Sequence, residues 1–241
     1  MKREKNCTKA VTAAEFMSKL NQNEEFVRRR EEQSKHFKAL EKEFAQEEKP
    51  LVEALNKAAI PIKSVWDLVN TGNFYPQAIP ILVAHLKHPY PFRIREAITR
   101  ALSIKDAGAV AYAELVREFK ELPDSRDVAQ HGFKWALGNA ISIVADDSNF
   151  DEIVELVRDK RHGNTRDMIT LRLPNLDPKR AIGVLLELLN DDDDEIVGQA
   201  LTALEKLKAI VARPTVERFL HHVNPSIRKE SAKILARMSR I

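Results

Sequence analysis

Between residues 94 and 235 one pattern returns five times. A short aliphatic or basic pair opens a helix whose apolar positions then fall at fixed offsets. The copies read Ile94-Arg95…Ile98…Ala101-Leu102, Phe133-Lys134…Leu137…Ala140-Ile141, Thr165-Arg166…Ile169…Arg172-Leu173, Ile196-Val197…Leu204 and Ile227-Arg228…Ser231…Ile234-Leu235. Their second residues stand at 95, 134, 166, 197 and 228, giving intervals of 39, 32, 31 and 31. A period of that size in a helical chain predicts a stacked array of helix pairs, each burying its apolar face against its neighbours. That architecture points toward holding a partner rather than toward chemistry.

The first helices of the pairs are expected at Tyr75–Lys87, Ala107–Glu121, Phe150–Lys160, Pro178–Leu189 and Pro214–His222. Ile79, Leu82 and Leu86 keep helical spacing in the first, and Ile182, Leu185, Leu186 and Leu189 in the fourth. Proline suits a first helical turn, where its missing N–H would have no partner. The longer first interval is assigned to 122–130, an extended loop or a further short helix. Scarce glycine (7 residues) fits an all-helical chain with short turns.

Residues 1–10 read as a loose basic tail, 11–60 as a charged helical N-terminal cap and 61–241 as the repeat solenoid. Thr12 with Glu15 forms a capping box, and Asn23 before Glu24-Glu25 caps a long helix. Phe26, Phe37, Leu40, Phe44, Leu51 and Leu55 put one apolar stripe on that rod, which Pro50 should break or kink. Ser64–Asn70 reads as a short helix before the turn Thr71-Gly72-Asn73. The single cysteine, Cys7, excludes an intramolecular disulfide, and no secretory or spanning segment is evident, so a cytoplasmic, unanchored protein is expected.

The repeat pattern resembles HEAT repeats, particularly the short bacterial, PBS-lyase-type form in which an apolar residue and an arginine open the second helix. The resemblance covers residues 75–241. Arg95, Lys134, Arg166 and Arg228 occupy the basic position; Val197 departs, so a ladder of polar contacts between repeats should be interrupted there. The segment 11–75 also resembles the N-terminal region of bacterial HEAT-repeat proteins. The resemblance implies an all-α, right-handed α-α superhelix with a helical N-terminal cap. It specifies fold well and function poorly, because such repeats serve scaffolds, adaptors, inhibitors and a few enzymes.

Each candidate for chemistry has a plainer reading. Trp66-Asp67-Leu68-Val69-Asn70 is similar to the Trp-Asp-x-Val-Asp element of HEAT-like alkylpurine DNA glycosylases, whose final aspartate faces the damaged nucleotide. Asn70 is neutral and cannot supply that charge. The run Asp191, Asp192, Asp193, Asp194, Glu195 lacks the glycine and glutamate of a calcium loop and reads as a solvated capping loop. The seven histidines form no ligand set, and no phosphate loop, nucleophile elbow or redox cysteine pair is present. No catalytic residue, metal site or cofactor is assigned.

Charge distribution is more informative. Residues 146–195 carry 14 acidic and 7 basic residues, net −7, whereas 205–241 carry 9 basic and 3 acidic, net +6. Arg213, Arg218, Arg228, Arg237 and Arg240 make up most of the basic end. The second helices should line the concave face, leaving Glu96, Arg100, Trp135, Asn139, Asp167, Leu171, Thr202, Lys229 and Lys233 for a groove. Trp135 falls off its helix's apolar stripe and marks either an interface anchor or packing against the 122–130 loop. Non-catalytic binding of a macromolecule, most simply a protein, is expected, as in an adaptor, regulator or immunity protein acting as a monomer. DNA binding or glycosylase-like repair is the alternative.

Overall fold

The computed structural model describes residues 12–69 and 71–238, and every described helix is α or 3-10, with no strand among them. The chain divides after Glu47 into two compact units. In the first, α1 (Ala13–Asn21) and α2 (Glu24–Glu47) form a helix pair with no fully buried side chain. Thr12 and Glu15 make the reciprocal capping box, and Asn23 accepts from the Phe26 amide at 3.0 Å, as expected from the sequence. Phe37 of the apolar stripe is 63% exposed. The long helix ends at Glu47, and a new one, α3 (Lys49–Lys57), carries Pro50 in its first turn, where no N–H is needed.

The second unit contains the expected pairs. After the 3-10 turn Val65–Leu68 come α4 (Ala78–Leu86) with α5 (Phe92–Ala101), α6 (Gly108–Glu121) with α7 (Val128–Val144), and α8 (Phe150–Arg158) with α9 (Asp167–Leu176). Then follow α10 (Pro178–Leu188) with α11 (Asp194–Lys206), and α12 (Arg213–Arg218) with α13 (Pro225–Met238). The second helices pack in chain order, α5 on α7, α7 on α9, α9 on α11 and α11 on α13. Their repeated apolar positions form the core: Ile94, Ile98, Phe133, Leu137, Ile169, Leu173, Ile196, Leu201 and Ile234 are all at most 2% exposed. In α10 the buried face is Ala181, Val184, Leu185 and Leu188, while Ile182 and Leu186 remain half-exposed. The long first interval is a loop over 122–127 followed by an extra turn at the start of α7, capped by Asp127 through the Gln130 amide at 2.8 Å.

The basic residue of each repeat has a common task. Arg95 donates to the Leu86 carbonyl, Lys134 to that of Leu122, Arg166 to that of Val157 and Arg228 to that of His222. The first three cations reach back to the end of the pair's first helix, and Arg228 to the end of the 3-10 turn Phe219–His221 that follows α12, where carbonyls lack helical partners. Val197 is buried and makes no such bond. Two of these basic residues also bond into the next repeat, Arg95 to Glu118 and Arg166 to Asp191. Exposed ion pairs also link successive first helices, Lys120 with Glu152 and Arg158 with Glu187.

Candidate functional site

Second-helix positions one residue after the basic one are 96, 135, 167, 198 and 229. They form a row because the period carries each onto its equivalent in the next pair. Trp135 and Asp167 meet along that row: the indole N–H donates to Asp167 Oδ2 at 3.1 Å. Both open onto a cleft of about 750 Å³ spanning α7 to α13, with Asp194, Glu195, Thr202 and Glu230 also in its wall. Gly198 continues the row on the cleft wall, and a β-carbon there would meet nothing within 4 Å.

Neutral amides hold the carboxylates of this wall. Asn164 Nδ2 donates to Glu195 at 2.7 Å, and Asn224 Nδ2 donates to Asp194 at 2.8 Å. Burial pushes the Asp167 carboxyl above the usual carboxylate range. The bonds from Trp135 and the Met168 amide oppose this, while the charges of Glu195 and Asp193 add to it. Among the described residues no Lys or Arg lines the cleft, although Lys233 pairs with Glu230 at 2.9 Å from outside it.

The remaining groove residues separate. Arg100 pairs with Glu96 at 2.8 Å and sets its guanidinium 5.8 Å from the Trp135 ring centre. Arg100 and Asn139 line a second cavity of about 350 Å³ with Tyr75, whose single hydroxyl proton is shared between the Leu68 and Ala101 carbonyls at 3.1 and 3.0 Å. Leu171 lines a third, of about 220 Å³, beside Ile143 and Met168. Lys229 and Lys233 are exposed on α13. Asn164, Glu195, Asn224 and Glu230 were missing from the sequence-derived groove. The bonded pairs Asn164–Glu195 and Asp194–Asn224 lie 31 and 30 residues apart, one repeat, and that spacing is the signal that would have found them.

The acidic run is not uniformly solvated. Asp193 caps α11 through the Glu195 amide, as a capping loop should. The Asp191 side chain, by contrast, is covered and accepts two bonds from Arg166 at 2.9 and 3.0 Å, with the two side chains 4% and 1% exposed. Solvation of Asp191 is therefore corrected: the repeat's buried cation takes it as counter-ion. Asp192 stays exposed, paired with Lys160 at 2.6 Å.

At the basic end Arg213 pairs with Glu217 and Arg237 with Glu205, while Arg228 is spent on carbonyls and Arg218 is exposed. Arg240, Cys7 and Asn70 lie outside the described residues. Asp67 accepts from the Lys63 and Ser64 amides, which holds its carboxyl below the usual range. Trp66 is half-buried under Arg93. Among the described residues no group of three or more His, Cys, Asp and Glu is placed to hold a metal, and no helix is long and apolar enough to cross a membrane.

No protein-family model and no curated protein matches the chain. Among solved structures it is similar to a designed armadillo repeat protein in complex with the peptide (KR)4, at 17% identity over 81% of this chain and 99% of that one, with a TM-score of 0.48. A second designed armadillo repeat protein aligns at 16% identity over 81% and 99% of the two chains, with a TM-score of 0.44. A computationally designed one for modular peptide recognition aligns at 15% over 80% and 98%, with a TM-score of 0.46. The all-α repeat fold stands on the chain's own helices and their order of packing.

Proposed function

We propose that this protein binds another protein without catalysing a reaction, through the face formed by its second helices. One observation carries the reading: a cleft of about 750 Å³ crosses four successive second helices and is walled by Trp135 and by polar side chains at repeat-equivalent positions. A half-buried tryptophan beside polar groups is the composition that dominates interface energies. We read the repeats as HEAT-type, supported by the shared carbonyl-capping role of Arg95, Lys134, Arg166 and Arg228. A cytoplasmic adaptor, regulator or immunity protein fits this reading. Nucleic-acid binding fits less well, because Asp167, Asp194 and Glu195 would repel phosphates along the same cleft.

Trp135→Ala tests the proposal. Helix content measured by circular dichroism should be unchanged, while a partner retained by the wild-type protein from native extract at physiological salt should be lost. An unchanged partner profile would remove the second-helix face from consideration. Base release from alkylated DNA by the purified protein would overturn the non-catalytic reading.

A further inference from the structure

Resting on the binding reading above, we infer that the cleft across α7, α9, α11 and α13 receives an extended, Lys- and Arg-bearing segment of a partner protein. The charge of the wall selects that chemistry. Asp167, Asp194, Glu195 and Glu230 face one space, and the polar atoms holding the first three are an indole N–H, two side-chain amides and a backbone amide. Neutral donors fix a carboxylate in place without cancelling its charge. Two basic side chains at the edges are already engaged, Arg100 with Glu96 and Lys233 with Glu230. His222 stands 3.8 Å from Asp194, and His131 lines the α7 end.

An incoming cation would therefore meet three carboxylates held by neutral donors, Asp167 half-buried and Asp194 and Glu195 exposed, with the Trp135 ring as a wall suited to guanidinium or ammonium groups. An acidic or phosphorylated segment would meet repulsion at the same points. The shape selects an extended chain. Crossing four packed helices means three steps of about 8–10 Å, roughly 24–30 Å, which about eight residues cover at ~3.3 Å each.

The test uses fluorescein-labelled nonapeptides and fluorescence anisotropy with the full chain at about 0.15 M salt. The probes are a Lys-Arg-Gly repeat, an Asp-Glu-Gly repeat and a Ser-Thr-Gly repeat. The Lys-Arg-Gly peptide should bind, and the other two should not. Asp167→Asn/Asp194→Asn/Glu195→Gln, which removes the three carboxylates held by neutral donors, should weaken it by about tenfold, three screened ion pairs' worth. An equal charge removal on and beside α8, Asp147→Asn/Asp151→Asn/Glu155→Gln, should change it by less than about threefold.

Gly198→Leu supplies an independent arm. Its β-carbon enters open space with nothing within 4 Å, so it should keep the helix content and still weaken the peptide by about tenfold. Equal loss in the cleft and α8 variants would mean diffuse attraction and overturn the assignment. Binding of the neutral or acidic probe, blocked by Gly198→Leu, would overturn the basic occupant while leaving the groove reading intact. Absence of binding by every probe, or self-association weakened by the cleft variants, would likewise overturn it, leaving the Trp135→Ala comparison to judge the groove on its own.

Discussion

Replacing Asp191 by alanine should be among the most destabilising single changes available on the surface loops of this protein. The Arg166 side chain is 1% exposed and that of Asp191 4%, so removal of the aspartate strands a buried guanidinium. Breaking a buried pair from one side costs about 3–5 kcal/mol. Arg166 keeps its bonds to the Val157 and Gly163 carbonyls, both at 2.7 Å, which favours the lower end of that range. The Asp193 amide also loses its acceptor, at 3.0 Å, adding about 1 kcal/mol. The expected loss is about 3–4 kcal/mol, against a total of roughly 5–15 kcal/mol for a domain. With a urea slope near ~2 kcal/mol/M, the midpoint should fall by about 1.5–2 M.

Unfolding should be followed by circular dichroism and tryptophan fluorescence together, since repeat arrays can lose two-state behaviour. Asp191→Asn, which keeps one neutral acceptor, should lose less. Combining Asp191→Ala with Arg166→Met should recover part of the loss, though the two carbonyls then go unpaired. Burial pushes the Asp191 carboxyl up, but Arg166 and the Asp193 amide outweigh this and leave it below its ordinary value. The pair's contribution is accordingly complete above the ordinary carboxylate range and is lost as pH falls through the lowered one. A midpoint for Asp191→Ala within about 0.5 M of wild type would refute the reasoning.

Other expectations follow from the same geometry. His162 is 3% exposed, its Nδ1 has no partner, and burial together with the Lys134 charge lowers it to about 4. A neutral buried histidine contributes stability above pH ~6.5 that is lost as pH falls toward the folded value, up to about 3 kcal/mol. Urea midpoints at neutral and acidic pH should therefore differ less for His162→Leu than for wild type, and an identical difference would contradict this. A β-carbon at Gly138 would stand 2.5 Å from the Thr165 carbonyl oxygen, so Gly138→Ala should cost about 1–3 kcal/mol by thermal unfolding. Gly198→Ala meets nothing within 4 Å and should instead raise stability by up to about 1 kcal/mol, with a lowered melting temperature as the contrary result.

The pairs were legible in the sequence because a solenoid repeats its packing problem. The same apolar offsets recur every 31 or 32 residues after the first interval, and the helices fall on them to within a few residues. The row containing Trp135 and Asp167 was legible for the same reason, being one step from the basic position. Contacts that are not periodic were hidden. Asp191 looked like its exposed neighbour Asp192, and only the fold brings it to Arg166, 25 residues away. His162 sits in the polar string Lys-Arg-His-Gly-Asn yet is covered, its ring 4.6 Å from that of Phe119. Asn164 and Asn224 lie ahead of their helices, outside any amphipathic pattern, so their hold on Glu195 and Asp194 emerged only from the structure.

The most direct measurement is site-specific photo-crosslinking in native extract, with a benzophenone side chain placed either at Thr202 in the cleft or at Glu155 on α8. Both positions are exposed, so neither substitution disturbs the core. A protein adduct formed from position 202, absent from position 155 and competed by the Lys-Arg-Gly peptide, is the predicted result. Adducts from position 155 alone, or equally from both, would contradict a docking face built by the second helices.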